Sequence, residues 1–314
     1  MDLTLYWFMF PVAIVISTTA ILSGIGGAAL FTPMFLIVFP LLGAEYTMST
    51  AVTAIGAALL TQTFGFASGF IGYRRRGLID YKSALPFIAV AVPIAILGAL
   101  LSQSVDANLL KGTYAVLMAI LSVILLRRPA SVAGTPTIGA EARSAGLQSA
   151  EADFRLAKAG AASAPEVREL TARDGTIYRY AAPRQGLGAV ATGIGALLTG
   201  MVSVGIGEVI MPQLVKRHRV PLPVAAATSV LIVIATVTAA SLAQVTALIA
   251  EGGVEAVPWN LVMYTIPGVI IGGQIGPRAQ GKVSQKNMVR AIAFLFALIG
   301  VAMASIVIAD LIGG

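Results

Sequence analysis

Apolar runs long enough to cross a bilayer recur along the whole chain, and they limit its fold more than any single motif does. They cover 4–42, 48–73, 84–101, 109–126, 186–215, 221–250, 258–277 and 290–312. A bilayer core about 30 Å thick is crossed by a helix of about 20 apolar residues. Only 11% of the residues are charged, against about 25% in soluble domains. The chain therefore reads as an all-α polytopic membrane protein whose solvent is the lipid bilayer.

Two of these runs do not fit a single span. Residues 4–42 are too many for one crossing at about 1.5 Å per residue, and they are interrupted by "SGIGG" (23–27), Pro33 and Pro40. Residues 186–215 are interrupted in the same manner by "GIG" (205–207) and Pro212. Each is expected to be a helical hairpin that leaves the membrane on the side it entered. The distribution of charge favours that topology. With 127–184 placed inside, Arg74, Arg75, Arg76, Lys82, Lys216, Arg217, Arg219, Arg278, Lys282, Lys286 and Arg290 all fall inside, and only Lys111 falls near the outside. The acids Asp2, Glu45, Asp106, Glu251, Glu255 and Asp310 fall outside, and Asp80 inside. Straight spans would put "KRHR" (216–219) outside, against the positive-inside rule. Both chain ends are then expected outside, in a cell (inner) membrane.

That topology divides the chain into a first transmembrane repeat (1–126), a soluble cytoplasmic linker (127–184) and a second repeat (185–314). Each repeat is a broken, glycine-rich hairpin followed by three transmembrane helices. Three is odd, so the second repeat is inverted with respect to the first. Residue spacing supports the repeat. "GGAALFTP" (26–33) parallels "GIGEVIMP" (205–212). Thr53, Thr61 and Thr63 share their spacing with Thr228, Thr236 and Thr238, and "PIAILGA" (93–99) parallels "PGVIIGG" (267–273). Within the linker, "QSAEADFRLAKAG" reads as helical and "GTIYRY" as strand-like.

The composition also excludes several chemistries. There are no cysteines and one histidine, His218, in a basic run. Thiolate metal sites, disulfides and cysteine nucleophiles are therefore ruled out, and no metal or other cofactor is expected. One loop histidine and one intramembrane acid do not make a catalytic constellation, so the chain is not expected to be an enzyme. The net charge of +7 comes from bases at segment ends, which serve topology rather than nucleic-acid binding. "MDLTLYWFMF" holds an acid and no base before its apolar run. It lacks the basic start of a signal peptide and reads as part of the first membrane segment.

Inverted repeats with broken helices mark secondary transporters. In hydrocarbon, irregular backbone persists only where it is buried in protein or lines a cavity. A half-helix that starts at a break offers free N–H groups and a positive dipole end, which favour an anion. The expected partner is accordingly a small anionic substrate, and the oligomeric state is left open.

The chain also resembles the TauE/SafE sulfite exporters, the toluene sulfonate uptake permease family. The resemblance rests on "SGIGGAALFTP" and "SVGIGEVIMP", on the Thr/Ser-bearing helix after each, and on "ASGFIGYRRRGLIDYKSAL" (67–85) with its Gly-Leu-Ile-Asp-aromatic turn. The family's Gly-Thr-Ser after the first hairpin is replaced by "VTAIG" (52–56), while "AATSV" (226–230) keeps Thr-Ser. The resemblance implies export of a small sulfur-containing or organic anion such as sulfite, sulfoacetate or a related sulfonate. A passive anion channel and an uptake permease for a sulfonate or carboxylate are the alternatives.

The substrate-binding candidates cluster at the breaks and in the helices that follow them. Gly24, Gly26, Gly27, Gly205 and Gly207 either line the substrate or allow close helix packing. Ser23 and Ser203 sit beside the breaks, where their hydroxyls reach anion oxygens or bond back to their own helices. Thr53, Thr228 and Ser229 head the next helices. Thr61 and Thr63 lie about 160° apart on a helix, so at most one of them faces a narrow lining. Gln62 and Gln244 are neutral donors suited to an anion or to interhelical bonding. Glu208 is the one carboxylate that this topology places within the membrane. It is either a proton-coupling residue or a cap on the break.

Overall fold

The computed structural model describes residues 4–23, 28–127, 167–182, 188–279 and 285–313. Gly24, Gly26, Gly27, the Ser23 side chain and the helix expected in 148–160 lie outside the described residues.

The first broken stretch forms α1 (Met9–Ser23), α2 (Ala28–Pro33), a wide π-helical turn at Met34–Val38 and α3 (Phe39–Leu42). Phe31, Phe35 and Phe39 recur at four-residue intervals and stack along one face, with ring centroids 5.9 and 5.2 Å apart. Phe39 also stacks on Tyr6 at 5.2 Å, and the Tyr6 hydroxyl donates to the Tyr46 carbonyl at 3.3 Å. The end of the stretch thus lies beside its beginning, as a returning hairpin requires. The second broken stretch forms α7 (Gly188–Val202), α8 (Ile206–Pro212) and a π-helical turn at Gln213–Arg217. A Cβ on Gly188 would lie 2.8 Å from Gln213 Oε1, and one on Gly195 3.0 Å from Val209 Cγ2. This stretch folds back as well.

Both π turns start directly after a proline, Pro33 or Pro212. Proline lacks the N–H of a normal helical bond and crowds the carbonyl four residues earlier, so the backbone widens around it. For Pro33 that carbonyl belongs to Ala29, and the buried Tyr114 hydroxyl donates to it at 2.8 Å.

The helices expected after each hairpin are all present: α4 (Ala51–Arg76), α5 (Tyr81–Ser104) and α6 (Ala107–Arg127), then α9 (Leu222–Gly252), α10 (Trp259–Ala279) and α11 (Gln285–Gly313). Among the described residues five helices are long and apolar enough to cross a membrane: α4, α5, α9, Ala107–Ile124 of α6 and Arg290–Ile308 of α11. α10 is less apolar because it carries Asn260, Gln274 and a row of glycines. α4 starts at Thr50, whose side chain accepts from the Thr53 amide at 3.0 Å. It ends with three arginines in its last turn and Gly77 in the left-handed region (φ 69°), a pairing of cations and glycine suited to a helix C-terminus.

Packing is reciprocal between the halves. α1 packs on α10 as α7 packs on α5, and α4 packs on α10 as α9 packs on α5. α4 meets α9, and α6 meets α11. Exchanging the halves leaves this set unchanged. Gly98 and Gly272, paired by the sequence repeat, illustrate the cause. A Cβ on Gly98 would lie 2.3 Å from the Leu197 carbonyl oxygen, and one on Gly272 2.5 Å from that of Ile14. Small residues let these backbones touch where no hydrophobic drive separates helix from lipid.

Between α6 and α7 stand two strands, β1 (Val167–Thr171) and β2 (Ile177–Ala181), paired antiparallel with Arg168 opposite Tyr180. The strand-like "GTIYRY" is β2 with its leading turn.

Gly98→Ala and Gly272→Ala should each cost about 1–3 kcal/mol by overpacking. Gly112, whose added Cβ meets nothing within 4 Å, should tolerate alanine. Thermal unfolding in detergent checks this, and equal melting points for all three variants would contradict the close approach.

Candidate functional site

The second break is held by a small set of polar side chains. α7 ends at Val202, and Ser203 (φ 64°) and Gly205 (φ 143°) redirect the chain into α8. Gly205 has no substitute here, since its φ suits only glycine and a Cβ would lie 2.7 Å from the Gly195 carbonyl oxygen. The Ile206 amide donates to Thr199 Oγ1 at 2.7 Å, and the Gly205 amide donates to Glu208 Oε2 at 3.1 Å. Glycine has no side chain to return the bond, so only the carboxylate half of a capping box exists.

These contacts correct one expectation. Two of the leading amides of α8, which the sequence suggests are free for an anion, are taken by the protein itself. Glu208 acts as the cap. Ser203 joins the two halves: its Oγ lies 2.5 Å from Thr32 Oγ1 of α2, and it bonds the Val202 carbonyl at 2.5 Å.

A small pocket opens beside α2, where α1, α4 and α10 meet. Its walls are Ala20, Ile21, Phe31, Phe66 and Val269, with Ser17, Gln62 and Gly65 among them. Ser17 donates to the Val269 carbonyl at 3.0 Å. Gln62 is 3% exposed and brings an amide to this otherwise apolar wall. Phe31 and Thr32 are neighbours on α2, about 100° apart around its axis, so this short helix contributes both to the pocket and to the Ser203 contact.

The remaining candidates go elsewhere. Thr53 is tied into the start of α4, with its Oγ1 3.1 Å from Ser49 Oγ and 3.0 Å from Thr50 Oγ1. Thr228 Oγ1 accepts the Asp80 amide at 3.1 Å. Asp80 follows the far end of α4, so Thr53 and Thr228 lie at opposite ends of the bundle. Ser229 and Gly207 are buried in α9 and α8. Thr61 bonds Thr265 at 2.8 Å, whereas Thr63 bonds back to Leu59 at 2.9 Å, so the two do face differently.

The residue that sequence reasoning undervalued is Asp80. It caps α5 by accepting the Ser83 amide at 3.0 Å, and it also accepts the Ser83 hydroxyl. Tyr180 donates to it at 2.9 Å, and Arg168 Nη1 approaches its two oxygens at 3.3 and 3.2 Å. Arg168 Nη1 also donates to Ser83 Oγ at 2.7 Å. Burial alone would raise the carboxyl pKa. The Ser83 bonds, the Tyr180 hydroxyl and the Arg168 charge outweigh it and hold Asp80 below the usual carboxylate range. Burial and the neighbouring Asp80 charge push the Tyr180 hydroxyl well up, so it stays a donor. The strand character of "GTIYRY" beside the Gly-Leu-Ile-Asp turn was the available signal.

Because its folded pKa is depressed, Asp80 contributes stability above about pH 4, the unfolded value, and loses it as pH falls through the folded value. Asp80→Asn keeps a good helix cap but removes the charge. Its melting temperature should fall less on acidification below about pH 4 than that of the parent, in a pH series of thermal scans. At the break, Glu208→Ala should cost about 1–3 kcal/mol by stranding the Gly205 amide, while Glu208→Gln retains an acceptor and most of that stability. Equal loss in both variants would show that charge, not capping, is what matters there.

Residues 9–303 match the family described as Sulfite exporter TauE/SafE. The probable membrane transporter protein YunE of Bacillus subtilis (strain 168) is 25% identical over 289 residues, covering 91% of this chain and 93% of that protein. No solved structure matches. With broken hairpins, reciprocal halves and a match that spans nearly its whole length, the chain belongs to the TauE/SafE sulfite exporter family.

Proposed function

We propose that this chain is a secondary transporter that exports a small sulfur-containing or organic anion, such as sulfite, sulfoacetate or a related sulfonate, by alternating access. The observation that carries the reading is the pocket between α1, α2, α4 and α10. Its polar lining, Ser17 and Gln62, is uncharged. A neutral amide in an apolar wall, that of Gln62, offers an anion a partner without a fixed counter-ion, so binding is compatible with release.

Alternating access needs two half-structures able to exchange roles, and the reciprocal packing supports that. In this reading the pseudo-two-fold axis lies in the membrane plane, the segment 127–184 is cytoplasmic and both chain ends are outside. An inside-negative potential drives each negative charge outward by about 2.3 kcal/mol per 100 mV, so export needs no obligatory co-substrate. Where a proton is coupled, Glu208 carries it. Protonation weakens the charge-assisted cap on Gly205 and so links proton binding to the geometry of the break.

The test is flux in proteoliposomes, guided by thermal stabilisation with sulfite, thiosulfate, sulfoacetate, taurine and simple carboxylates. An anion that stabilises the protein should show trans-stimulated exchange; uptake without exchange would instead mark a channel. Gln62→Leu should cut flux by about 10–100-fold, as expected for losing one hydrogen bond to a charged group. Unchanged flux would remove the pocket from the pathway. Glu208→Gln should abolish pH dependence while leaving the fold intact. Flux that keeps its pH dependence would remove the proton-carrier role.

A further inference from the structure

We propose that the β1–β2 hairpin is a latch on one end of the helix bundle, held through Asp80, and that this end opens only when the hairpin releases. The inference rests on the transport reading above. Asp80 touches three bodies at once. It caps α5 through Ser83, its amide is tied to Thr228 on α9 of the second half, and its carboxylate receives Arg168 and Tyr180 of the hairpin. The hairpin grips the adjoining turn as well. The Arg173 amide donates to the Arg76 carbonyl at the end of α4 at 3.0 Å. Ala172 and Tyr180 are buried on the hairpin, as are Tyr73, Leu78 and Ile79 around the turn.

The opposite end of the bundle supplies the comparison. Gly77, after α4, has φ 69°, and Gly253, after the matching helix α9, has φ 71°. Both helices end on a glycine of positive φ, although ψ differs, at 28° for Gly77 and −175° for Gly253. A Cβ on Gly77 would meet the Arg173 backbone nitrogen at 3.3 Å, whereas one on Gly253 would meet nothing within 4 Å. Glu255, which follows Gly253, is exposed, while Asp80 is 8% exposed. One turn is covered by a soluble element and its counterpart is bare. A fold whose helices pack reciprocally therefore carries a one-sided clamp across its two halves. Its contacts, polar around Asp80 and apolar around Ala172 and Tyr180, lie at the bundle's edge, with the Arg168 side chain 21% exposed, so they can open without unfolding a membrane helix.

The absence of native cysteines makes the latch directly testable. Ser229→Cys places a single thiol at a site 2% exposed, next to Thr228. In lipid nanodiscs, labelling of this thiol by an impermeant maleimide should accelerate at least tenfold when Arg168→Gln and Tyr180→Phe are added. A single thiol from Ala54→Cys, buried near the start of α4, should show no such acceleration. An unchanged rate at residue 229, or an equal rise at both positions, overturns the latch. Separately, Arg76→Cys with Arg173→Cys joins the two residues whose backbones already bond. Oxidation of that pair should lower flux at least tenfold, reversibly on reduction; full flux with the pair closed overturns the proposal. The labelling result stands without any transported anion, so failure of the latch is distinguishable from failure of the transport reading.

Discussion

Every interrupted helix in this protein faces one constraint: within hydrocarbon, a backbone amide or carbonyl that loses its helical partner must find another inside the protein. The breaks show how it is met. Thr199 and Glu208 take the leading amides of α8, and Tyr114 takes the Ala29 carbonyl that Pro33 leaves free. Ser203 and Thr32 pair their hydroxyls across the halves. These bonds draw α2, α6, α7 and α8 together, and they explain why so apolar a chain keeps polar side chains at these few positions.

The same economy of polar groups shapes helix packing. Lipid is as apolar as leucine, so helices associate through close contact rather than through exclusion from water. Gly98 and Gly272 bring backbones against the Leu197 and Ile14 carbonyls on equivalent interfaces. The short α2 then contributes both to the pocket beside Gln62, through Phe31, and to the break beside Ser203, through Thr32.

At one end of the bundle the constraint changes, because water is near and charge becomes useful. Asp80 is ionised, caps a helix, and joins α9 and the β1–β2 hairpin in a single cluster. The transmembrane halves meet through hydroxyls and glycines, and the β1–β2 hairpin is attached through an ion pair and a buried tyrosine. That difference in chemistry sets which contacts can break while the core stays intact.

Much of this was legible in the sequence. Apolar run length located α4, α5, α6, α9, α10 and α11, and glycine and proline located the breaks, because local composition dictates where a helix can run in lipid. The sequence also marked Glu208 as anomalous, yet it left cap and proton carrier equally open. Only the tertiary structure decided that its carboxylate reaches the Gly205 amide, that Gln62 rather than Thr53 lines the pocket, and that Asp80 binds a hairpin about 90 residues further along the chain. Those outcomes depend on which helix faces meet across the fold, and no spacing within one segment encodes the partner that a side chain finds in another.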